Sequence, residues 1–216
     1  MSATTRKAGP KFHRAQPAVR REALIDATLQ CLKKFGHEGV SVRRISAEAG
    51  VSIGLINHHF PSKTGLIADT YETLARSLRE SLHRQATLEG ATPRERLSGF
   101  FQASFSPTLT DPGLFNVWVV FWGMAAHAPE IQAVHDRTYA DYRRVLESLL
   151  EALMRSGDAP AFRLKEAAIG LSALLDGLWV ELSLSRAAFK SAAAIALCED
   201  WVNALCRGAF LNLLRT

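Results

Sequence analysis

Between Ser41 and Phe60 the chain fits two helices and a turn into a very short stretch. Val42, Ile45 and Ala49 recur at helical spacing behind Ser41, a good N-terminal cap. Gly50 ends that pattern, since glycine tolerates the left-handed backbone of a helix end. Ser52 then opens a second short helix, about Ile53 to His59. Two short helices joined by so tight a turn form a helix-turn-helix. Its inner face, Val51, Leu55, Ile56 and Phe60, can anchor the second helix. Its outer face, Ser52, Ile53, Gly54, Asn57 and His58, is short or polar, which lets the backbone approach base edges in a DNA major groove.

The charge distribution points the same way. Residues 1–63 hold eleven Lys and Arg against four acids, and residues 64–216 hold fifteen against seventeen, so the net charge of +5 is concentrated in the first third. A basic segment on a near-neutral body is the footprint of a phosphate-binding module. Arg43 and Arg44, early in the first short helix, are placed for phosphates, and Ser41 ahead of them is counted with the DNA-binding residues. So is Lys63, where helix N–H groups add to the attraction. Residues 1–17 have almost no apolar content and are expected to form a disordered basic arm.

Elsewhere the periodicity is helical. Leu24, Ile25, Thr28, Leu29, Leu32 and Phe35 mark a helix that Gly36 stops. Pro61-Ser62 starts a long helix to about Leu88, with Leu66, Ile67, Tyr71, Leu74 and Leu78 on its buried stripe. Further helices are expected at about 93–106, 111–128, 129–156, 160–186 and 189–213, separated by Pro and Gly breaks. No stretch alternates as strands do, so the fold class is all-α: a reading unit over 18–64 and a helical body over 65–216. No apolar run approaches the ~20 residues of a membrane span. The polar, basic start carries no secretory h-region. Cys31, Cys198 and Cys206, odd in number and without CxxC spacing, fit a reducing cytosol and read as small buried hydrophobes.

Catalysis finds little support. His58 and His59 point about 100° apart on a helix and cannot easily share a metal. Trp118, Trp122, His127, His135 and Asp176 form no nucleophile–base–orienter set, and no glycine-rich phosphate loop is present. No catalytic residue, metal or cofactor is expected. A protein-binding adaptor would leave the pattern from Ser41 to Lys63 unexplained.

The body holds candidates for a small-molecule site. Trp118 and Trp122 share one helical face with Phe121 beside them, and Tyr139 and Tyr142 follow in the next helix. Asp176 stands in an apolar run with Trp179 three residues on. Aromatic faces with a carboxylate suit a quaternary ammonium, which binds by cation–π attraction. A buried carboxylate must be paired, hydrogen-bonded or protonated. The same residues would also serve as plain core, with Asp176 bonded to a backbone or hydroxyl group. The last two helices are apolar over more than one face, and Leu171, Leu175, Leu178, Leu182, Ile195, Trp201, Val202 and Leu205 are expected to meet a second copy of the chain. A two-fold dimer suits a palindromic operator.

The run from Ser41 to Ile67, SVRRISAEAGVSIGLINHHFPSKTGLI, resembles the DNA-binding signature of TetR-type repressors, with similarity over about residues 19–70. The resemblance implies a DNA-reading head on a ligand-binding body that dimerises through a bundle of its last two helices. Asn57 departs from the pattern, which usually has a Tyr there that touches a backbone phosphate. Leu24–Leu29, Ser52–Phe60, Trp118–Trp122 and Leu174–Trp179 are similar to the betaine-pathway (BetI) branch, whose members respond to choline. That implies a cytoplasmic, nucleoid-bound bacterial repressor of choline uptake or glycine betaine synthesis genes. Its effector is expected to be choline or another small hydrophobic or cationic molecule. Asp176-Gly177-Leu178 is common across TetR-like proteins and does not select choline.

Overall fold

The structure is a computed structural model and describes residues 17–184 and 189–210. The expected basic arm (save Pro17), the break at residues 185–187 and the end of the last helix beyond 210 lie outside them. Among the described residues nine helices follow in order: α1 Pro17–Gly39, α2 Val42–Ala49, α3 Ile53–His59, α4 Lys63–Ala86, α5 Pro93–Ser104, α6 Pro112–Ala125, α7 Pro129–Ser156, α8 Leu164–Leu184 and α9 Ser191–Cys206. The chain is all-α.

Serines set the register of the first four. The hydroxyls of Ser41, Ser52 and Ser62 accept from the backbone N–H groups of Arg44, Leu55 and Gly65, at 3.3, 3.2 and 2.9 Å. Between α2 and α3, Gly50 adopts φ 65°, which a side chain would resist. Ser46 closes the turn by donating its hydroxyl to the Val51 carbonyl. Gly36 interrupts α1 at φ 61°, and a last helical turn continues to Gly39. Further on, Thr92 and Glu95 form a capping box at α5, and Asp111 caps α6 by accepting from Leu114 N–H at 2.9 Å.

Two apolar cores result. The first joins Ile45, Ile56 and Phe60 of the helix-turn-helix to Leu24 and Leu32 of α1, to Leu66 and Tyr71 of α4, and to Val117, Trp118 and Phe121 of α6. The second gathers Leu82, Phe100, Phe101, Leu146, Leu150, Leu171 and Val202 from α4, α5, α7, α8 and α9. α4 runs through both. Leu78, Leu109 and Trp179 pack against each core and mark the seam.

Some helix ends differ from the expectation. α4 stops at Ala86, and Leu88 is exposed. α8 starts only at Leu164, because Phe162 is drawn fully into the second core before the helix begins. α9 ends at Cys206 rather than near 213, and Gly208 follows with φ 71°. α8 also has the length and composition of a membrane-crossing helix, contrary to the expectation that no run approaches one. It is apolar on two sides. One side, through Leu171 and Leu175, fills the second core. The other leaves Ile169 and Leu184 exposed.

Candidate functional site: a reading head and a cavity at the seam

In α3 the inward residue is Ile56, 2 % exposed, with Phe60 behind it, while Ser52, Ile53, Gly54, Asn57 and His58 are exposed together. Ile53 is 41 % exposed and stands at the first position of the helix. Gly54 has open space around it, so a methyl there would meet only Ser52 Oγ, at 3.9 Å. The fold therefore does not require this glycine. His58 and His59 meet edge to face at 5.3 Å, with His59 half-buried.

The three basic residues divide. Arg43 is exposed and enters no ion pair among the described residues. The Arg44 guanidinium lies 4.6 Å over the Phe35 ring and donates to the Gly39 carbonyl. Lys63 donates to the Val40 carbonyl at 3.3 Å. Arg44 and Lys63 thus brace the corner between α1 and α2, a role the sequence pattern did not reveal. Ser41 acts there as a cap.

At the seam lies a cavity of about 100 Å³, lined by α4, α6, α7, α8 and the segment joining α5 to α6. Trp118, Trp122, Tyr139, Tyr142, Asp176 and Trp179 all line it. Trp122 and Trp179 meet edge to face at 6.1 Å, and Trp179 is fixed by donating its indole N–H to the Leu109 carbonyl at 3.1 Å. Asp176 accepts from the Tyr139 hydroxyl at 3.3 Å, a single hydrogen bond that leaves most of its acceptor capacity unused. Burial pushes the Asp176 carboxyl up to about 6, against the opposing pull of the Tyr139 hydrogen bond and of Arg143. Burial likewise raises the Tyr139 and Tyr142 hydroxyls, and the Asp176 charge adds to both.

Phe121 is a correction. It is fully buried, stacked 4.4 Å on Tyr71 in the first core, and takes no part in the cavity wall. Behind the wall, the Tyr71 hydroxyl bonds to His135 Nδ1 at 2.8 Å. Ala75, Leu78, Arg79 and Leu82 of α4, with Ser104, Phe105, Leu109, Thr138 and Leu175, complete the lining unforeseen. One signal was present for Arg79: it sits one turn beyond Ala75 on the flank of the α4 apolar stripe.

The expected dimer residues also need correction. Leu171, Leu175, Val202 and Leu205 are buried in the chain's own second core and cannot face another copy. Leu178, Leu182, Ile195 and Trp201 are half-buried against the same core. Trp201 packs on Gly170, whose added Cβ would come within 3.3 Å of its ring. The large apolar residues left exposed on these helices are Ile169, Leu184 and Leu197, at 51, 69 and 50 %. The stripes differ by a rotation about the helix axis that apolar content alone cannot fix.

Residues 24–70 match the family of bacterial regulatory proteins of the tetR family, and residues 93–207 match the BetI-type transcriptional repressor C-terminal domain. The chain belongs to the TetR family and carries a BetI-type C-terminal domain. It is 33 % identical to the HTH-type transcriptional regulator BetI of Serratia proteamaculans over 88 % of this chain and 94 % of that one. With BetI of Burkholderia thailandensis it shares 31 % over 87 % and 93 %. A transcriptional regulator from Pseudomonas aeruginosa PAO1 superposes with a TM-score of 0.86 at 43 % identity, covering 94 % of this chain and 98 % of that one. A regulator from Saccharomonospora viridis in complex with choline shares the fold, with a TM-score of 0.72 at 22 % identity over 86 % and 96 %. This TetR-family chain is a DNA-binding transcriptional repressor of the BetI type and not an enzyme. Regulators of the family bind DNA and small-molecule effectors and act as dimers.

Proposed function

We propose that this repressor binds a palindromic operator as a dimer and responds to a quaternary ammonium, with choline as the reference effector. One observation carries the reading: three tryptophans, two tyrosines and one carboxylate converge on a single cavity. Aromatic faces attract a cation that has no N–H to donate, and Asp176 supplies the countercharge. The BetI names of the relatives and the choline found in the Saccharomonospora viridis regulator support the same assignment.

On this reading the regulated genes serve choline uptake or glycine betaine synthesis, and the protein works in the bacterial cytoplasm on the nucleoid. Two reading heads address successive major grooves. The dimer forms through the exposed faces of α8 and α9, with Ile169, Leu184 and Leu197 at its centre. Effector in the cavity favours a placement of the heads that no longer fits the operator. The test is a mobility-shift titration on a palindrome from the gene's own upstream region. Salt-sensitive binding that choline weakens at micromolar to millimolar concentration is expected; binding without sequence preference, or indifferent to choline, rejects the reading.

A further inference from the structure

The cavity is not charged on one side only. Besides Asp176 of α8, its wall includes Arg79 of α4. The Arg79 guanidinium donates to Asp141 at 2.6 Å, but Asp141 is shared, because Arg144 bonds its other oxygen. Two guanidiniums thus share one carboxylate, which leaves the Arg79 charge only partly offset. A guanidinium carries five N–H donors, so Arg79 has donors to spare. Its side chain is 41 % exposed, which puts it where the cavity meets solvent.

Other polar groups of the wall are already committed. Ser104 and Thr138 donate their hydroxyl hydrogens to the carbonyls of Phe100 and His135. Tyr139 donates to Asp176, and the Trp179 indole to Leu109. The Trp122 indole N–H, by contrast, is a buried donor with no partner among the described residues. Arg79, half exposed and bonded to Asp141 through one nitrogen, has further donors to offer an acceptor at the mouth. An ammonium group brings none, and a hydroxyl brings only a neutral one; an anionic oxygen makes the stronger, charge-assisted bond to a guanidinium.

We propose that Arg79 makes the cavity selective for a zwitterion: a quaternary ammonium that carries an anionic group on a short spacer. The inference rests on the reading of the tryptophans and Asp176 as an ammonium site. The ammonium lies among the aromatic rings near Asp176, and the anionic group meets Arg79 at the mouth. Trimethylglycine has only one non-hydrogen atom more than choline, so those two differ chiefly in charge, whereas phosphocholine is also longer.

The test is calorimetric titration of the full-length protein with choline, glycine betaine and phosphocholine. The wild type is expected to bind at least one of the two zwitterions about tenfold or more tightly than choline. Arg79→Gln should abolish that preference while choline affinity holds or rises, since a positive charge leaves the mouth. Asp141→Asn keeps the guanidinium and removes its competitor, so zwitterion affinity should rise. An Arg79 that merely braces α4 against α7 predicts the opposite: both variants break one ion pair and shift every ligand alike, which overturns the proposal. The half-exposed pair contributes little to stability, so both variants should fold, and Asp141→Asn provides a second route if Arg79→Gln does not. If the wild type binds choline as tightly as either zwitterion, Arg79 selectivity is wrong while the ammonium site stands. If none of the three binds, both fail.

Discussion

The reading head and the cavity are assembled by different means. In the head, the caps Ser41 and Ser52, the turn at Gly50 and the anchors Ile45, Ile56 and Phe60 are near neighbours in the chain. In the cavity, Ala75 of α4 and Trp179 of α8 line one space, and every wall comes from a different part of the body. The head is therefore specified by local rules that tolerate few exchanges. The cavity depends on how long helices settle against one another, so a single side chain can change what it holds without changing the fold. The two regions are nonetheless bound together. α6 supplies Val117 and Phe121 to the head's core and Trp118 and Trp122 to the cavity, and Lys33 of α1 pairs with Asp111 at the α6 cap at 3.6 Å.

The strongest test of that union is Phe121→Ala. Removing a fully buried ring stacked on Tyr71 should cost about 3–5 kcal/mol. Urea denaturation should show one transition at a lower midpoint, and operator affinity should fall too. A head that melts separately at its original midpoint would sever the two regions.

Asp176→Asn should act on the cavity alone. A cationic effector is expected to bind about tenfold more weakly, with effector-free operator affinity unchanged in a mobility-shift assay. The wild type adds a pH signature. The Asp176 carboxyl lies at about 6, so cation affinity should be flat above neutrality and fall as pH drops through that value. The variant should show no such dependence in calorimetry. Without ligand, the same group acts on stability with the opposite sign. Between the ordinary carboxyl value of 3.8 and about 6 the folded chain holds a proton that the unfolded chain releases. Its stabilising contribution is full below that window and is lost as pH rises through it.

Within the head, Arg43→Ala should weaken operator binding and reduce the salt slope by about one, with the melting temperature unchanged. Arg44→Ala should also lower stability, by about 0.5–1 kcal/mol, because its guanidinium rests on Phe35. Gly54→Ala is the smallest change. Stability should hold or rise by up to about 1 kcal/mol, since the added methyl has room. Operator affinity should drop if α3 lies against the bases, and an unchanged affinity would place the contact elsewhere on the head.

This contrast governs what the amino-acid pattern disclosed. Caps and a glycine turn act on their immediate neighbours, so α2 and α3 were legible to the residue. The aromatic side chains of the cavity were legible as types, yet Phe121 shows that adjacent positions on one helix can belong to different environments. Leu171 and Leu175 failed as dimer residues for a related reason: on a helix apolar all round, composition does not say which stripe turns inward. Arg44 and Lys63 show a third case. Their charge was plain, but the Gly39 and Val40 carbonyls that hold them exist only once the corner between α1 and α2 has formed.

Leu78, Leu109 and Trp179 belong to both cores, and a molecule entering between them stands where the operator-binding half meets the rest. Linkage then runs both ways. Whatever factor an effector takes from the affinity for DNA, DNA must take from the affinity for the effector. A promoter already occupied by this repressor would thus need more effector to be cleared than the free protein needs to be filled. The concentration at which genes switch on would be set by the DNA sequence as well as by the cavity.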